Sequence, residues 1–210
     1  NGSLVIEAPY LPVTTRQGDW PQVYHEHLSY WSLGSLMAAG DKTGLVLVDF
    51  SLHPVHSGSM RYILKKSGHL RATPWMRSIW SQERSWAQHF LQNLRNLQGQ
   101  MERDCETLRL RLSWAKSVIA YGASAKATVL LNAVGGVDNL LGVIDDTKAK
   151  QGRFVPGVGL PIVAPHSMEA YDGLLLTAYN WGDAIAAKAG QQGFSGEVIY
   201  PLNRAKTIAA

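Results

Sequence analysis

The amino-acid sequence predicts an α/β protein in which a small sheet, a long helix and a parallel-sheet domain follow one another. The first seventy residues hold apolar runs of strand length around one helical pattern. Residues 78–112 then repeat apolar side chains in steps of three and four, which is typical of an amphipathic helix. From residue 115 onward, short apolar runs alternate with helical segments, and this alternation favours a parallel sheet with helical crossovers.

The composition is that of a globular protein with one large domain or two small ones. Of the 210 residues, 46% are hydrophobic and 17% are charged. No apolar run approaches the roughly 20 residues that a membrane span requires, so no membrane partner is expected. The formal charge of +4 is not gathered into the basic stripes of a nucleic-acid groove. The single cysteine, Cys105, excludes a disulfide framework within these residues and favours a reducing, cytoplasmic setting.

The first seventy residues predict three strands and one helix. A short buried strand over residues 3–8 ends at a proline, which cannot donate to a strand ladder. The spacing of apolar residues 28–40 then predicts a helix. Residues 45–52 and 59–65 are two β-like runs separated by a loop with proline and glycine. A strand, a helix and a strand pair is how many α/β sheets end.

One long helix, or one broken near Gly99, is predicted over residues 78–112. It is interpreted as a linker helix packed across two domains, with a dimer seam as the alternative. The chain then divides into a first domain of residues 1–70, a linker region of residues 71–114 and a second domain of residues 115–210.

The second domain is predicted to be a small Rossmann-like unit with a parallel sheet. Its strands are placed at residues 117–121, 140–144, 161–163, 173–177 and 197–200. Its helices are placed at residues 125–134, 167–171 and 180–189.

Residues 24–27, with the sequence Tyr-His-Glu-His, are the densest titratable cluster in the chain. A histidine oriented by a carboxylate can remove a proton from a carbon beside a carbonyl. The two histidines lack the i, i+4 spacing of helical metal ligands and lack a third ligand, so no metal is expected. The alternative interpretation is structural, because the cluster is placed at or just before a helix N-terminus, where the helix dipole favours Glu26.

Two segments suit anion binding. Arg61 enters a strand behind a glycine loop, where its guanidinium can pair with phosphate or carboxylate, although a plain surface arginine is the alternative. Residues 121–126, Tyr-Gly-Ala-Ser-Ala-Lys, follow a strand and open a helix, so that backbone amides and Lys126 would face an anion. The turn lacks the full GxGxxG pattern, which disfavours a nicotinamide-dependent oxidoreductase.

Three further segments are placed near the same sheet edge. Asp145 ends the next strand, where such folds often bind a ribose, and a turn-forming aspartate is the equal alternative. The basic, glycine-containing loop of residues 150–157 can close over a phosphate or serve as a solvated connection. Asn180 and Trp181 begin a helix after a buried strand, at the edge where ligands bind in open α/β sheets.

Together these segments resemble the S-adenosylmethionine-dependent C-methyltransferases that act on nucleotide-linked deoxysugars. The matching segments are residues 6–10, residues 24–30, Pro54 to His56 with Gly58, Ser59 and Arg61, Tyr121 to Ala123 with Lys126, and residues 150–153 with Pro156 and Gly157. They follow the order of the family and span the chain from about Gly2 to Leu202. Ser57 is a departure, since the family usually has glycine there.

The resemblance implies three parts: a zinc-binding region, a methyltransferase domain that holds S-adenosylmethionine, and a Rossmann-like domain that helps to hold the nucleotide sugar. The chain is expected to be the C-terminal half, with the end of the methyltransferase sheet but without the zinc region or the glycine-rich donor loop. The resemblance also implies that His27 is the base that deprotonates the carbon beside the sugar ketone, with Tyr24 and Glu26 assisting.

The predicted function is therefore methyl transfer to a nucleotide-linked keto sugar, with a nucleotide-sugar binding module without catalysis as the alternative. On this interpretation the chain on its own is expected to be inactive. The candidate catalytic residues are His27, Tyr24 and Glu26. The candidate substrate-binding residues are His56, Ser59, Arg61, Tyr121, Gly122, Ala123, Lys126, Asp145, Lys150, Arg153, Asn180 and Trp181.

Overall fold

The computed structural model describes residues 2–55 and 58–202, and these form two compact units. Within the described part, the first unit contains residues 2–20 and those from 25 to 100, and the second contains residues 21–24 and 101–202. The first unit has a small antiparallel sheet and the second a parallel sheet with helices. The predicted α/β fold class is confirmed.

The sheet of the first unit has the order β1-β3-β2. Strand β1 spans Ser3–Pro9, β2 spans Val46–His53 and β3 spans Ser59–Lys65. Strand β3 runs antiparallel to both neighbours, in an unbroken register with β1 and with a register shift against β2 between Leu47 and Asp49. The predicted strand pair of residues 45–52 and 59–65 is thus present.

One face of this sheet packs against helices. They are α1 (Leu11–Gln17), α2 (Leu33–Thr43) and α3 (Pro74–Gln88), and helix α4 (Phe90–Ser113) follows α3 along the chain. The buried core of this unit is formed by Tyr10, Leu33, Leu36, Leu47, Phe50, Met60, Tyr62, Leu64 and Met76. Alternate residues of each strand point to opposite faces, so the three strands can place one set of side chains in this core and expose the other.

Helix α2 starts later than the apolar spacing of residues 28–40 indicates. Ser32 is its N-cap: the Ser32 hydroxyl accepts from the Ser35 amide at 3.2 Å, and the Ser35 hydroxyl accepts from the Ser32 amide at 2.8 Å. This reciprocal capping box satisfies two backbone donors and fixes the start of the helix. The Tyr-His-Glu-His cluster therefore lies in a turn well before α2.

The long amphipathic segment forms two helices rather than one. The interruption lies at His89, between α3 and α4, and the helix continues through Gly99, the alternative position that the sequence indicates for a break. A single glycine costs about 1 kcal/mol in a helix interior, which the packing of a long helix can offset. The division between the two units falls after Gln100, within α4.

The second unit has a five-stranded parallel sheet of order β6-β5-β4-β7-β8. The strands are β4 (Val118–Tyr121), β5 (Leu140–Ile144), β6 (Ile162–Val163), β7 (Gly173–Leu176) and β8 (Glu197–Ile199). The connecting helices are α5 (Ala125–Val134) and α6 (Gly182–Gln191). The short helix expected at residues 167–171 is absent, since this described segment contains only a turn at residues 169 and 170.

The core of the second unit lies on the β4 and β7 strands. Both strands are buried at every residue, as expected for central strands of a parallel sheet covered on both faces. Its buried cluster consists of Ile119, Tyr121, Ile144, Met168, Leu174, Leu176, Ile185 and Ala189. In the described part of the chain, no helix combines the length and apolar character needed to cross a bilayer.

Candidate functional site

The Tyr-His-Glu-His cluster forms a bend and turn between α1 and α2. Tyr24 lies at the bend, and its amide donates to the Gln22 carbonyl at 3.1 Å. Glu26 is exposed, whereas His27 is half-buried and its ring meets the Tyr30 ring edge-on, with centroids 6.2 Å apart. The cluster is thus presented on an irregular loop, so the dipole of α2 does not act on Glu26 as a first-turn residue.

The end of this loop is held against the end of β1. Tyr10 and Trp31 form a parallel β-bridge, and the Leu11 amide donates to the Trp31 carbonyl at 2.9 Å. Trp31, four residues after His27, therefore lies beside the end of β1.

Glu83 is a buried residue that sequence reasoning missed. Its side chain comes from α3, is 7% exposed and accepts three hydrogen bonds. The Tyr10 hydroxyl donates at 2.6 Å, the Leu33 amide at 2.8 Å and the Gly34 amide at 2.7 Å. The carboxylate that meets the N-terminus of α2 is thus supplied from 49 residues downstream of Gly34, and no local motif marks it.

Arg61 and Ser59 lie on one face of β3. The Arg61 guanidinium pairs with Glu7 at 2.7 Å, and both side chains are partly exposed. Ser59 is buried, and its hydroxyl donates to the Val55 carbonyl at 3.0 Å. His56 lies outside the described residues. Arg61 is thus the member of this group with an accessible charge.

The strand order of the second unit reverses between β4 and β7, and the loops after these two strands are tightly joined. Gly122 has φ +104°, and a Cβ atom there would lie 2.4 Å from Ala178 Cβ. The Thr177 hydroxyl donates to the carbonyls of Tyr121 and Gly122 at 2.7 and 2.8 Å. Glycine is therefore required here for the close approach of the two loops.

The turn after β4 is closed by the turn after β5. The Asp145 carboxylate accepts from the Ala123 amide, the Thr147 amide and the Lys150 ammonium, at 2.8, 2.8 and 3.2 Å. Burial by itself would raise the pKa of Asp145, but these hydrogen bonds outweigh it and hold the pKa below its ordinary value. The Lys150 ammonium also donates to the Ala123 carbonyl at 2.8 Å. The Asp145 carboxylate thus joins the turn after β4 to the turn after β5.

Charged and aromatic side chains surround the carboxyl edge of the β4–β7 pair. The Tyr121 hydroxyl donates to Asp146 at 3.1 Å, and Lys188 forms an ion pair with the same carboxylate. Lys126 is 9% exposed, with its ammonium 5.4 Å from the centre of the Tyr179 ring. Lys188 and Tyr179 were not singled out from the sequence, because only the long-range packing of α6 and β7 brings them here.

The loop of residues 150–157 is a compact hairpin that leaves this edge. The Val155 amide donates to the Leu160 carbonyl, and the Ile162 amide donates to the Arg153 carbonyl, each at 2.8 Å. Its far end packs on α5, where Asn132 donates to the Pro156 carbonyl at 2.8 Å. Lys150 therefore stays at the sheet edge, while the Arg153 side chain is exposed on the hairpin.

Asn180 and Trp181 lie in a 3-10 turn, Tyr179–Trp181, that follows β7. Both are exposed, and Trp181 exposes 72% of its surface. The expected helix begins just after them, at Gly182. A flat aromatic surface thus stands at the edge of the sheet where ligands bind in open α/β folds.

Comparison with known proteins identifies the family. A model of the "C-methyltransferase C-terminal domain" matches residues 54–202. The chain belongs to this C-methyltransferase family. It is also 29% identical to C-methyltransferase NovU of Streptomyces niveus over 224 aligned positions, which cover 100% of the chain and 52% of NovU. The chain thus spans about half the length of this relative.

The family match confirms the predicted resemblance, and it extends from the end of β2 to the end of the second unit. The cluster at residues 24–27 lies outside the match, although the alignment with NovU covers it. Across the described ranges, the acidic, histidine and cysteine side chains form no group of three or more that would suit a metal ion.

Proposed function

We propose that the chain is part of an enzyme that transfers a methyl group from S-adenosylmethionine to a carbon beside the ketone of a nucleotide-linked keto sugar. The match of residues 54–202 to the C-methyltransferase C-terminal domain carries this proposal. The chain spans about half of NovU, and we assign the donor-binding loop and the zinc region to the other half. When bound, the donor supplies an electrophilic sulfonium methyl group.

His27 is the proposed base. Its ring takes the proton from the carbon beside the ketone, and the resulting enolate carbon forms the new bond to the methyl group as the sulfur–methyl bond breaks. A half-buried histidine on a loop suits this task, because it can contact substrate while most of its ring is shielded from water. Tyr24 and Glu26 are proposed to orient the substrate and His27.

The second unit is proposed to hold the nucleotide diphosphate at the carboxyl edge of its sheet. Lys126, Lys150 and Lys188 place three ammonium groups around this edge. Asp146, 58% exposed, is better placed than the buried Asp145 to accept from a ribose hydroxyl. The exposed Trp181 ring offers a stacking surface for the base, and Asn180 and Arg153 add polar contacts.

Calorimetric titration of the chain with thymidine and uridine diphosphates tests the binding role. We expect Lys126→Ala and Lys188→Ala to weaken binding at least about tenfold each, as expected for loss of a charge-assisted contact. Lys116→Ala is the matched control, since this exposed lysine precedes β4 at the opposite edge of the same sheet. Equal affinity in all three variants would refute the assigned site.

Proton exchange tests the catalytic role. An enzyme that joins this chain to the proposed donor-binding domain, given the keto sugar in heavy water without donor, should exchange the hydrogen beside the ketone. His27→Gln should abolish this exchange, while His166→Gln should preserve it. Diphosphate binding without His27-dependent exchange would instead favour a nucleotide-sugar binding module.

A further inference from the structure

Glu83 links three elements around the loop that carries His27. Its side chain comes from α3. The carboxylate accepts hydrogen bonds from the Tyr10 hydroxyl, at the end of β1, and from the first two amides of α2. The backbone next to Tyr10 in turn holds Trp31, four residues after His27. The end of the loop is therefore fixed on both sides, at Trp31 and at Leu33, by groups that Glu83 holds together.

We propose that Glu83 is the positioning residue of His27, setting the place of the catalytic loop against the carboxyl end of β1. This inference rests on the proposed function, since it concerns the residue assigned as base. Glu83 touches no substrate in this role; it acts through Tyr10 and α2.

A simple helix cap does not explain this arrangement. Ser32 satisfies the Ser35 amide and Glu83 completes the cap at Leu33 and Gly34. Its third bond, from the Tyr10 hydroxyl, lies outside the helix and serves no capping role. Burying a carboxylate is costly, and the cost is repaid only when several donors surround the charge, as the three donors to Glu83 do. A solvent-exposed cap would satisfy the amides of Leu33 and Gly34 without linking them to Tyr10. The connection that Glu83 makes between Tyr10 and the N-terminus of α2 is therefore what separates its role from that of an ordinary helix cap.

The Tyr10 hydroxyl keeps its proton over the neutral pH range. Burial, followed by the hydrogen bond and charge of Glu83, raises the pKa of Tyr10, so its hydroxyl remains a donor. Burial and the same charge also raise the pKa of Tyr62. The buried Tyr62 hydroxyl has no hydrogen-bond partner within the described residues. A second neutral phenol thus lies in the field of Glu83, and the carboxylate is the one charge among these three side chains.

Nuclear magnetic resonance of the whole chain, with isotope-labelled histidine rings, tests the proposal without requiring catalysis. In Glu83→Gln, which keeps the size but loses the charge, we expect the His27 ring signals to shift as its contact with Tyr30 loosens. Amide exchange at Leu33 and Gly34 should accelerate at least about tenfold, as for loss of a charge-assisted hydrogen bond. His166, in the second unit, should keep its signals.

Two further variants keep the test decisive. Tyr10→Phe removes one donor and leaves the carboxylate, so it should give a smaller shift of the same His27 signals even if Glu83→Gln fails to fold. Ser32→Ala removes a local cap of α2 but leaves the Glu83 contacts, and it should leave His27 unchanged. The proposal would be overturned if the His27 ring signals were unchanged in both Glu83→Gln and Tyr10→Phe. It would also be overturned if Ser32→Ala shifted these signals as much as Glu83→Gln does.

The role of His27 as base and the role of Glu83 as its positioning residue can be refuted independently. If the His27 signals shift in Glu83→Gln but His27→Gln retains proton exchange, Glu83 positions His27 and the assigned base is wrong. If His27→Gln abolishes exchange but His27 is unmoved in Glu83→Gln, the base is right and Glu83 is structural only.

Discussion

Asp145 accepts the amide proton of Ala123 at 2.8 Å, and so the turn after β4 is held by the turn after β5. The amide that the glycine-containing turn would offer to an anion is therefore already engaged by a carboxylate of the protein. For the diphosphate site proposed at this edge, we therefore assign the main role to side-chain ammonium groups, above all those of Lys126 and Lys188.

Asp145→Asn should destabilise the second unit by about 1–3 kcal/mol at pH 7, because its amide group cannot accept from all three donors. The folded-state pKa of Asp145 lies below the unfolded value of about 3.9. Its stabilisation is thus complete above that value and is lost as the pH falls through the folded pKa. In urea denaturation, the free energies of unfolding of the parent and of Asp145→Asn should therefore converge below about pH 4. Asp146→Asn is the control, with a loss of about 0–1 kcal/mol expected for an exposed pair.

Gly122→Ala should destabilise the second unit by about 2–4 kcal/mol, because the new methyl group meets Ala178 and the backbone has positive φ. Gly136→Ala is the matched substitution, since its added Cβ meets nothing within 4 Å and its φ is not in the left-handed region. Urea midpoints of the two variants provide the comparison. If both variants unfold like the parent, the two loops are not packed as described.

Arg61→Ala should change stability by less than about 0.5 kcal/mol, because its ion pair with Glu7 is partly exposed and screened. Thermal unfolding at low and high salt checks this expectation. Any larger effect of this variant on substrate affinity would then report binding rather than folding. A loss above about 1 kcal/mol would show that the ion pair has a structural role.

Trp181→Ala should leave stability unchanged, because the side chain is 72% exposed. It should weaken nucleoside diphosphate binding by about 5–150-fold if the base stacks on the ring, in line with about 1–3 kcal/mol per stacked base. Binding of inorganic pyrophosphate should not change, and calorimetry with both ligands separates the two effects. Equal loss for both ligands would argue against stacking.

Much of the second unit could be predicted because its elements are marked locally. Apolar runs of four or five residues mark β4, β5 and β7 without any long-range information, and Gly122 and Asp145 mark the turns after β4 and β5. The helix predicted at residues 167–171 does not form, because the segment is too short for intrahelical hydrogen bonds to offset the free-energy cost of nucleation.

The start of α2 and the break at His89 are harder to predict, for different reasons. Ser32 and Ser35 are a readable capping signal, but the apolar residues before them share the helical spacing and extend it too early. At His89 there is neither glycine nor proline to mark the interruption between α3 and α4. Glu83 has no local signal at all, since its partners lie 49 to 73 residues away.

The two edges of the first unit's sheet are not equally protected. Strand β2 carries a register shift, which discourages further pairing, whereas β1 is regular along its whole length. Leu4 and Val5, on opposite faces of β1, are 45% and 55% exposed. An edge of this kind is a template for self-association, so the isolated chain should aggregate more readily as its concentration rises. A lysine in place of Val5 is the simplest change that should keep concentrated samples monodisperse.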